Sequence, residues 1–203
     1  MQVVTIRYWK GVNMGKVKTK FKRPPLILPV CLVGANVEEK PNFQAIAWFN
    51  MVDYDPYLVG LSSERSHYTN KGIRENKTFS LNIPASNMAQ VTDYCGLHSG
   101  TEVDKSKIFD VFYGELRTAP MISEMPINVE CKLTQTIESH HADFFIGEIV
   151  GVYVEEKFLV NEKPDIKSID PLLYEDGLGK YWNLGKFLAK AFDIGKQFKP
   201  KSE

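Results

Sequence analysis

The stretch best suited to chemistry is residues 61–69, which read Leu-Ser-Ser-Glu-Arg-Ser-His-Tyr-Thr. It follows a predicted strand and opens a helix-like segment that ends near Asn76. Serine and threonine hydroxyls, the guanidinium of Arg65 and the backbone N–H groups of a helix start together suit a phosphate, because each donates a hydrogen bond to an anionic oxygen. A capped turn that carries a surface arginine is the alternative interpretation.

Two further stretches combine small residues with polar groups. In residues 94–105, small residues flank Ser99, so a ligand could approach the backbone closely, and Lys105 could meet a phosphate or an electron-rich ring. In residues 44–50, Asn50 and small alanines accompany Trp48 on a strand whose edge could offer N–H and C=O groups to a flat heterocycle. The alternatives are an ordinary polar loop and a plain core strand in which Trp48 is packing.

A metal site and a nucleophile–base triad have little support. His140 and His141 stand with Asp143 at a predicted hairpin tip, but a metal needs three or four convergent ligands, and the other histidines are distant in sequence. There is no Gly-x-Ser-x-Gly element, and Cys31 and Cys131 alternate with apolar strand positions, as core residues do. We therefore expect no metal.

The elements that must position these groups are mainly strands. Alternating or continuous apolar residues predict strands at 26–35, 43–52, 57–61, 78–83, 126–138 and 144–154. A helix is predicted after residues 84–87, ending at Gly96, and an apolar stripe of period 3.6 predicts a C-terminal helix through Leu184, Phe187, Leu188, Ala191, Ile194 and Phe198. A Gly-x-Gly-x-x-Gly fingerprint, a P-loop and βαβ alternation are absent from the sequence, so a nucleotide cofactor must bind by other means.

Composition narrows the classes further. The chain has 203 residues, 43% of them hydrophobic, with 25 basic and 25 acidic residues. That balance argues against nucleic-acid binding, and the one basic cluster, residues 16–23, is interpreted as a solvated lead-in. The longest apolar run, residues 24–35, is shorter than the roughly 20 residues of a membrane helix. The absence of a secretory pattern and of a cysteine framework predicts a cytoplasmic protein.

Seven pieces in the right order carry a family resemblance. They are residues 29–33 (Pro-Val-Cys-Leu-Val), 43–49 (Phe-Gln-Ala-Ile-Ala-Trp-Phe), 55–59 (Asp-Pro-Tyr-Leu-Val), 65–69 (Arg-Ser-His-Tyr-Thr), 79–84 (Phe-Ser-Leu-Asn-Ile-Pro), 95–100 with 103–105 (Cys-Gly-Leu-His-Ser-Gly and Val-Asp-Lys) and 144–150 (Phe-Phe-Ile-Gly-Glu-Ile-Val). In this order the chain resembles the flavin reductase-like family of FMN-binding split barrels, and within it the flavoredoxin-like branch.

The resemblance implies a mainly β fold with short helices, namely a six-stranded Greek-key split barrel that forms a homodimer and binds one FMN per subunit. It implies that the FMN contacts are Ala47, Trp48, Phe49, Asn50, Ser62, Ser63, Arg65, Ser66, His67, Tyr68, Thr69, Asn82, Ser99 and Lys105. Residues 65–69 would hold the phosphate, and Lys105 is a candidate for tuning the flavin. Relatives carry a histidine on the nicotinamide side; with the register shifted by one, the candidate here is His141.

The implied function is electron transfer through FMN, as an NAD(P)H-dependent flavin reductase. The alternative is a non-enzymatic electron carrier that a redox protein partner reduces. The implied organisation is an N-terminal arm at residues 1–23, a barrel at 24–165, and a C-terminal segment at 166–203 whose helix packs on the barrel or on the dimer partner. The part of this segment from Asp170 onward either covers the flavin pocket or packs at the dimer interface.

Overall fold

The computed structural model describes residue 15 and residues 18–200. In chain order its strands are β1 (Ile27–Pro29), β2 (Cys31–Val37), β3 (Lys40–Ile46), β4 (Phe49–Tyr54), β5 (Tyr57–Glu64), β6 (Thr78–Ile83), β7 (Val111–Phe112), β8 (Met121–Ile122), β9 (Ile127–Glu138), β10 (Ala142–Val154), β11 (Leu159–Val160), β12 (Lys163–Pro164), β13 (Leu173–Glu175) and β14 (Lys180–Trp182). Residues 1–14, 16 and 17 of the predicted N-terminal arm lie outside the described residues. Residues 18–23, which hold most of the basic cluster, are described and exposed.

Helices are short and few among the described residues. They are α1 (Thr69–Asn76), α2 (Ala89–Leu97) and α3 (Ile166–Ile169), with 3₁₀ turns at Ser86–Met88, Lys105–Lys107, Glu156–Phe158 and Ile194–Gln197. The mainly β fold with short helices is therefore confirmed. None of the described helices is long and apolar enough to cross a membrane.

The main sheet has seven strands in the order β3-β2-β6-β9-β10-β5-β4, and every pairing is antiparallel. Its two edge strands, β3 and β4, follow each other in the chain with only Ala47 and Trp48 between them. Two residues span only about 7 Å, so the sheet has to curl until the end of β3 and the start of β4 lie close together. The N–H of Ser62 donates to the carbonyl of Trp48 at 2.8 Å and fastens this junction to β5. The result is a barrel with an open seam at Ala47 and Trp48.

The prediction of one strand at residues 43–52 is wrong, and the main sheet has seven strands where the resemblance implies six. The Greek-key arrangement stays a prediction. The chain turns at Ala47 and Trp48, and each half of the segment pairs with a different neighbour: β3 with β2, and β4 with β5. The apolar run is continuous through both halves, so its pattern contains no sign of this change of partner. The break is what creates the seam.

Apolar side chains fill the inside of the curled sheet. One cluster includes Phe79, Leu61 and Phe145 on three central strands, and Cys31 and Cys131 belong to it, as expected from their strand positions. Burial in this cluster raises the pKa of both thiols well above the usual value. A second cluster packs α2 and the loop after it over β2 and β3.

Helix α1 lies directly on β2. A Cβ atom on Gly72 would overlap the carbonyl oxygen of Asn36 in that strand, so only glycine permits this approach. Asn76 adds a hydrogen bond from its Nδ2 to the same carbonyl at 2.8 Å. These contacts fix the helix that follows the Arg65–Thr69 stretch.

A small sheet in the order β1-β13-β14 stands beside the barrel. It joins β1, near the start of the described chain, to two strands near its end, with Leu28 opposite Tyr174. Residues 183–193 after this sheet contain no regular helix, and only the 3₁₀ turn Ile194–Gln197 follows. The predicted C-terminal helix is therefore wrong: its apolar side chains lie exposed on an irregular segment, so no packed face enforces the helical period.

Candidate functional site

A cavity of about 930 Å³ opens at the seam of the barrel. It is lined by Arg23, Val30, Ala45, Ile46, Ala47, Trp48, Ser62, Glu64, Arg65, Ser66, His67, Asp93, Gly96, Leu97, His140, His141, Ala142, Tyr174, Asp176 and Tyr181. Three elements of the main sheet meet here: the end of β3 with the seam residues, the end of β5, and the start of β10. Its volume lies in the range of sites that bind cofactors and other small molecules.

Arg65 is one of two arginines that line the cavity, and its guanidinium is held from behind. Its Nε donates to Oδ1 of Asp143 at 3.0 Å, and its Nη2 lies 3.4 Å from Oε2 of Glu138. Arg74 on α1 binds the other oxygen of Asp143, whose side chain is 1% exposed. Within the described chain, Nη1 of Arg65 makes no hydrogen bond, so this N–H donor remains available to an anion in the cavity.

His67 is the second oriented donor. Its Nδ1 meets the side-chain amide of Gln44 and lies 3.2 Å from Oγ of Ser63, which itself donates to Asn70 at 2.6 Å. Burial lowers the pKa of His67, with Lys105 contributing, although Glu64 opposes the shift. An amide N–H pointing at Nδ1 makes that nitrogen the acceptor, which leaves the proton of the neutral ring on Nε2. Nε2–H is thus the ring's remaining donor.

One side of the cavity is apolar and flat. Ala45, Ala47 and Gly96 keep it open; a Cβ on Gly96 would lie only 3.3 Å from that of Ala45. Trp48, half exposed, provides a broad aromatic surface beside them. Small side chains next to one large ring leave a slot that suits a planar ring system.

The facing wall comes from the small sheet. Tyr181 donates to Oδ1 of Asp93 at 2.9 Å, and burial together with this bond raises the pKa of Tyr181 well above its usual value. Tyr174 lies beside it with the ring centroids 5.8 Å apart. Of the segment from Asp170, Tyr174, Asp176 and Tyr181 line the cavity; packing of this segment at a dimer interface stays a prediction.

The arm residue Arg23 ties this wall to the seam. The guanidinium of Arg23 pairs with Asp176, which is almost fully buried. The guanidinium carbon, Cζ, lies 5.5 Å from the centre of the Trp48 ring. Because Arg23 touches both sides, the cavity is bounded by the barrel seam on one side and the small sheet on the other.

The structure brings half of the predicted site residues to this cavity. Those that line it are Ala47, Trp48, Ser62, Arg65, Ser66, His67 and His141. Ser63 lies just behind, where it supports His67. His141 stands at the hairpin tip, and its carbonyl accepts a hydrogen bond from the Arg65 N–H at 3.1 Å.

The remaining predicted residues lie elsewhere. Lys105 is buried, and its Nζ donates to the carbonyls of Phe43 and Cys95 at 2.8 and 2.7 Å. This places the ammonium group between β3 and α2, where burial lowers the pKa of Lys105 and raises that of Cys95 to about 11. Lys105 and Tyr68 line a separate recess of about 260 Å³.

Asn82, Thr69, Ser99, Asn50 and Phe49 also lie away from the cavity. Asn82 joins three elements: its Nδ2 donates to Leu32, and its Oδ1 accepts from Ile122 and Asn128. Thr69 accepts from Asn42, Ser99 accepts from Thr101, and Asn50 caps the N–H of Met51. Phe49 packs on the core. These side chains organise the fold around the cavity.

Sequence reasoning missed Arg23, Asp93, Tyr174, Asp176 and Tyr181 as cavity residues. Their partners are far apart along the chain; Arg23 and Asp176 are separated by 153 positions. The signal in the sequence is the group of aromatic residues Tyr174, Tyr181 and Trp182 close together near the end of the matched segment. Among the described residues, no group of three or more His, Cys, Asp and Glu side chains could hold a metal ion.

Comparison with known proteins gives the family. The model of the flavin reductase like domain matches residues 24–182. A crystal structure of flavoredoxin from Methanosarcina acetivorans is 44% identical with a TM-score of 0.83, covering 95% of this chain and 98% of that one. Flavoredoxin of Desulfovibrio vulgaris (Miyazaki F) is 32% identical with a TM-score of 0.79, covering 94% of this chain and 100% of that one. An FMN-binding protein from Thermus thermophilus is 25% identical with a TM-score of 0.73, covering 91% of this chain and 100% of that one. The matched residues include the whole seam and both cavity walls, and the chain belongs to the flavin reductase-like domain family.

Proposed function

We propose that the chain binds FMN in the seam cavity and passes electrons through it. The observation that carries the proposal is the composition of the cavity: a slot bounded by Trp48 and small side chains, next to the oriented donors of Arg65 and His67. A flavin mononucleotide needs both, because its ring system is planar and its phosphate is anionic. The two flavoredoxins at 44% and 32% identity support the same conclusion.

The residues present fit the cofactor. The unpaired Nη1 of Arg65, the hydroxyl of Ser62 and Nε2–H of His67 are the donors for the phosphate end. Ser66 also lines the cavity, but its hydroxyl donates to Glu64 at 3.0 Å. Ala45, Ala47, Trp48 and Gly96 form the apolar boundary for the ring end. When bound, the flavin supplies the redox chemistry, and the chain's own groups bind it, orient it and exclude water.

As the source of electrons we propose NAD(P)H, which makes the protein a flavin reductase. In support, the cavity of about 930 Å³ lies near the upper end of the range for small-molecule sites, which leaves room for a second ligand. His141 lies on the rim and is the proposed contact on the nicotinamide side. A non-enzymatic carrier, reduced by a protein partner, is the second candidate, and the similarity to flavoredoxins favours it.

Anaerobic reduction of the FMN-loaded protein separates the candidates. Prompt bleaching of the visible flavin absorption by NADH or NADPH supports the reductase. Absorption that persists with both nucleotides and disappears with dithionite supports the carrier. A protein that neither retains flavin on purification nor binds added FMN contradicts the proposal as a whole. We also propose a homodimer, which the family resemblance implies.

A further inference from the structure

Two apolar surfaces of the described chain are exposed, and the first is its C-terminal arm, residues 185–200. The last hydrogen bond described between this end of the chain and the body is that from the N–H of Leu184 to Asp170, at 3.1 Å. The hydrogen bonds and ion pairs described beyond it join arm residues to one another. Its large side chains are 59–96% exposed, namely Phe187, Leu188, Phe192, Ile194 and Phe198.

The second uncovered surface is the edge strand β4. It is hydrogen-bonded to β5 on one side, and no described strand pairs with its other side. Met51, Val52 and Tyr54 are 50%, 45% and 80% exposed, and Tyr57 follows at 63%. Natural sheets normally cover or charge such an edge, because open apolar edges lead to association.

The two surfaces carry opposite charges. The arm holds Lys186, Lys190 and Lys199, besides Lys196, which pairs with Asp193. Strand β4 carries the exposed carboxylate of Asp53, and the turn after it carries that of Asp55. Opposite charge at the rim of an apolar contact guides association and fixes its register.

We infer that the arm of one subunit packs on the β4 edge of a second copy. Both surfaces are exposed within one described chain, so a second copy can cover each of them. In a twofold dimer the contact occurs twice, because each subunit gives an arm and receives one. The exposed arm side chains supply roughly 600–800 Å² per subunit, close to the ~800 Å² per partner of a standard stable interface.

The contact adjoins the cavity. Strand β4 begins immediately after Trp48, which lines the cavity and is itself half exposed. An arm that packs on β4 therefore covers the protein surface next to the proposed flavin site. This inference rests on the homodimer proposed above and assigns its contacts.

Sedimentation of the full-length chain tests the assembly. The wild type should sediment as a dimer, and Phe187→Asp, Phe192→Asp and Met51→Asp should each raise the dimer dissociation constant roughly 10- to 100-fold, because a buried apolar side chain is lost. Val160→Asp is the matched control: Val160 is 57% exposed on the β11–β12 hairpin and lies outside both surfaces. A monomeric wild type, or a dimer that all three substitutions leave unchanged, overturns the inference.

Cysteine cross-linking identifies the contact itself. The native thiols are buried, so Tyr54→Cys and Phe192→Cys introduce the exposed ones. Mixing the two single variants under oxidation should give a band of twice the chain mass, whereas Val160→Cys mixed with Phe192→Cys should not. The variant that carries both Tyr54→Cys and Phe192→Cys tests the alternative. A cross-link within one chain of this variant would show that the arm covers its own β4 and would overturn the inference that arms are exchanged between subunits. FMN titration of the same samples is a separate readout: a monomer that binds FMN refutes only the assembly, and a dimer that does not bind FMN refutes only the function.

Discussion

The Nε of Arg65 donates to Oδ1 of Asp143 at 3.0 Å, so the buried carboxylate of Asp143 orients the guanidinium of Arg65 in the cavity. Arg74 holds the second oxygen from α1. The single negative charge of Asp143 therefore faces two guanidinium groups, both of them partly exposed to solvent.

Asp143→Asn should weaken both the fold and the site. The amide keeps the shape but removes the charge that both arginines face, and a hydrogen bond to a charged group is worth about 1.5–3 kcal/mol. We expect the free energy of unfolding to fall by about 2 kcal/mol, measured by urea denaturation. FMN affinity should fall as well, since Arg65 loses its support. Equal affinity in mutant and wild type would show that Arg65 is held by other contacts.

Arg65→Met should discriminate between flavins. If Nη1 donates to the phosphate, the FMN dissociation constant rises roughly 10- to 100-fold, while that of riboflavin, which lacks the phosphate, changes little. Fluorescence titration with both ligands measures the two values. Lys71→Met is the control, because it removes a cation that pairs with Glu38 outside the cavity. An equal loss for FMN and riboflavin would place Arg65 at the ring and not at the phosphate.

Trp48→Ala should weaken FMN and riboflavin alike. The indole borders the slot for the ring, and an aromatic contact of this kind contributes about 0.5–1.5 kcal/mol beyond its buried area. We expect the affinity for each of the two ligands to fall about tenfold. Trp182→Ala is a closely matched control, because Trp182 is 51% exposed against 50% for Trp48 but lies outside the cavity lining. Similar losses from both substitutions would remove Trp48 from the site.

Much of the scaffold was predictable from the sequence, and the reasons differ by element. Strand β6 was predicted at its observed bounds, and strands β9 and β10 within two residues, because alternating residues meet one buried face over six or more positions. The Arg65–His67 donors were predictable because they are contiguous in the chain. That Lys105 lies outside the cavity lining could not be predicted, because its two acceptors, the carbonyls of Phe43 and Cys95, leave no mark in the pattern of side chains.

His67 should give the fold a specific pH dependence. The pKa of His67 is lower in the folded state than its unfolded value, which is near 6.5. At a pH between these two pKa values, the unfolded chain therefore binds more protons than the folded chain. Stability is therefore fully present above about pH 6.5 and falls as the pH drops through this window. Urea denaturation from neutral to mildly acidic pH should show a smaller decline for His67→Gln than for the wild type. Parallel pH profiles of stability for His67→Gln and the wild type would contradict this prediction. His98→Gln is the control for the loss of an imidazole, because His98 lies outside the cavity lining.

Gly72→Ala should destabilise the protein although it lies in a helix. In a solvated helix the change would favour folding by about 1 kcal/mol, but here the new Cβ overlaps the Asn36 carbonyl. Moving α1 away from β2 should lower the free energy of unfolding by about 1–3 kcal/mol. Gly185→Ala, where no atom lies within 4 Å, should change it by less than about 0.5 kcal/mol. A stabilising effect at Gly72 would mean that α1 can shift freely.

The small sheet also sets an order of events in synthesis. Its first strand, β1, leaves the ribosome early, but its partners β13 and β14 are made about 150 residues later. The barrel strands β2 to β10 can pair before then, while the wall that carries Tyr174 and Tyr181 still lacks its partner strands. A nascent chain therefore holds an open seam while the intervening residues are made, and the cavity is completed only when residues 173–182 have emerged.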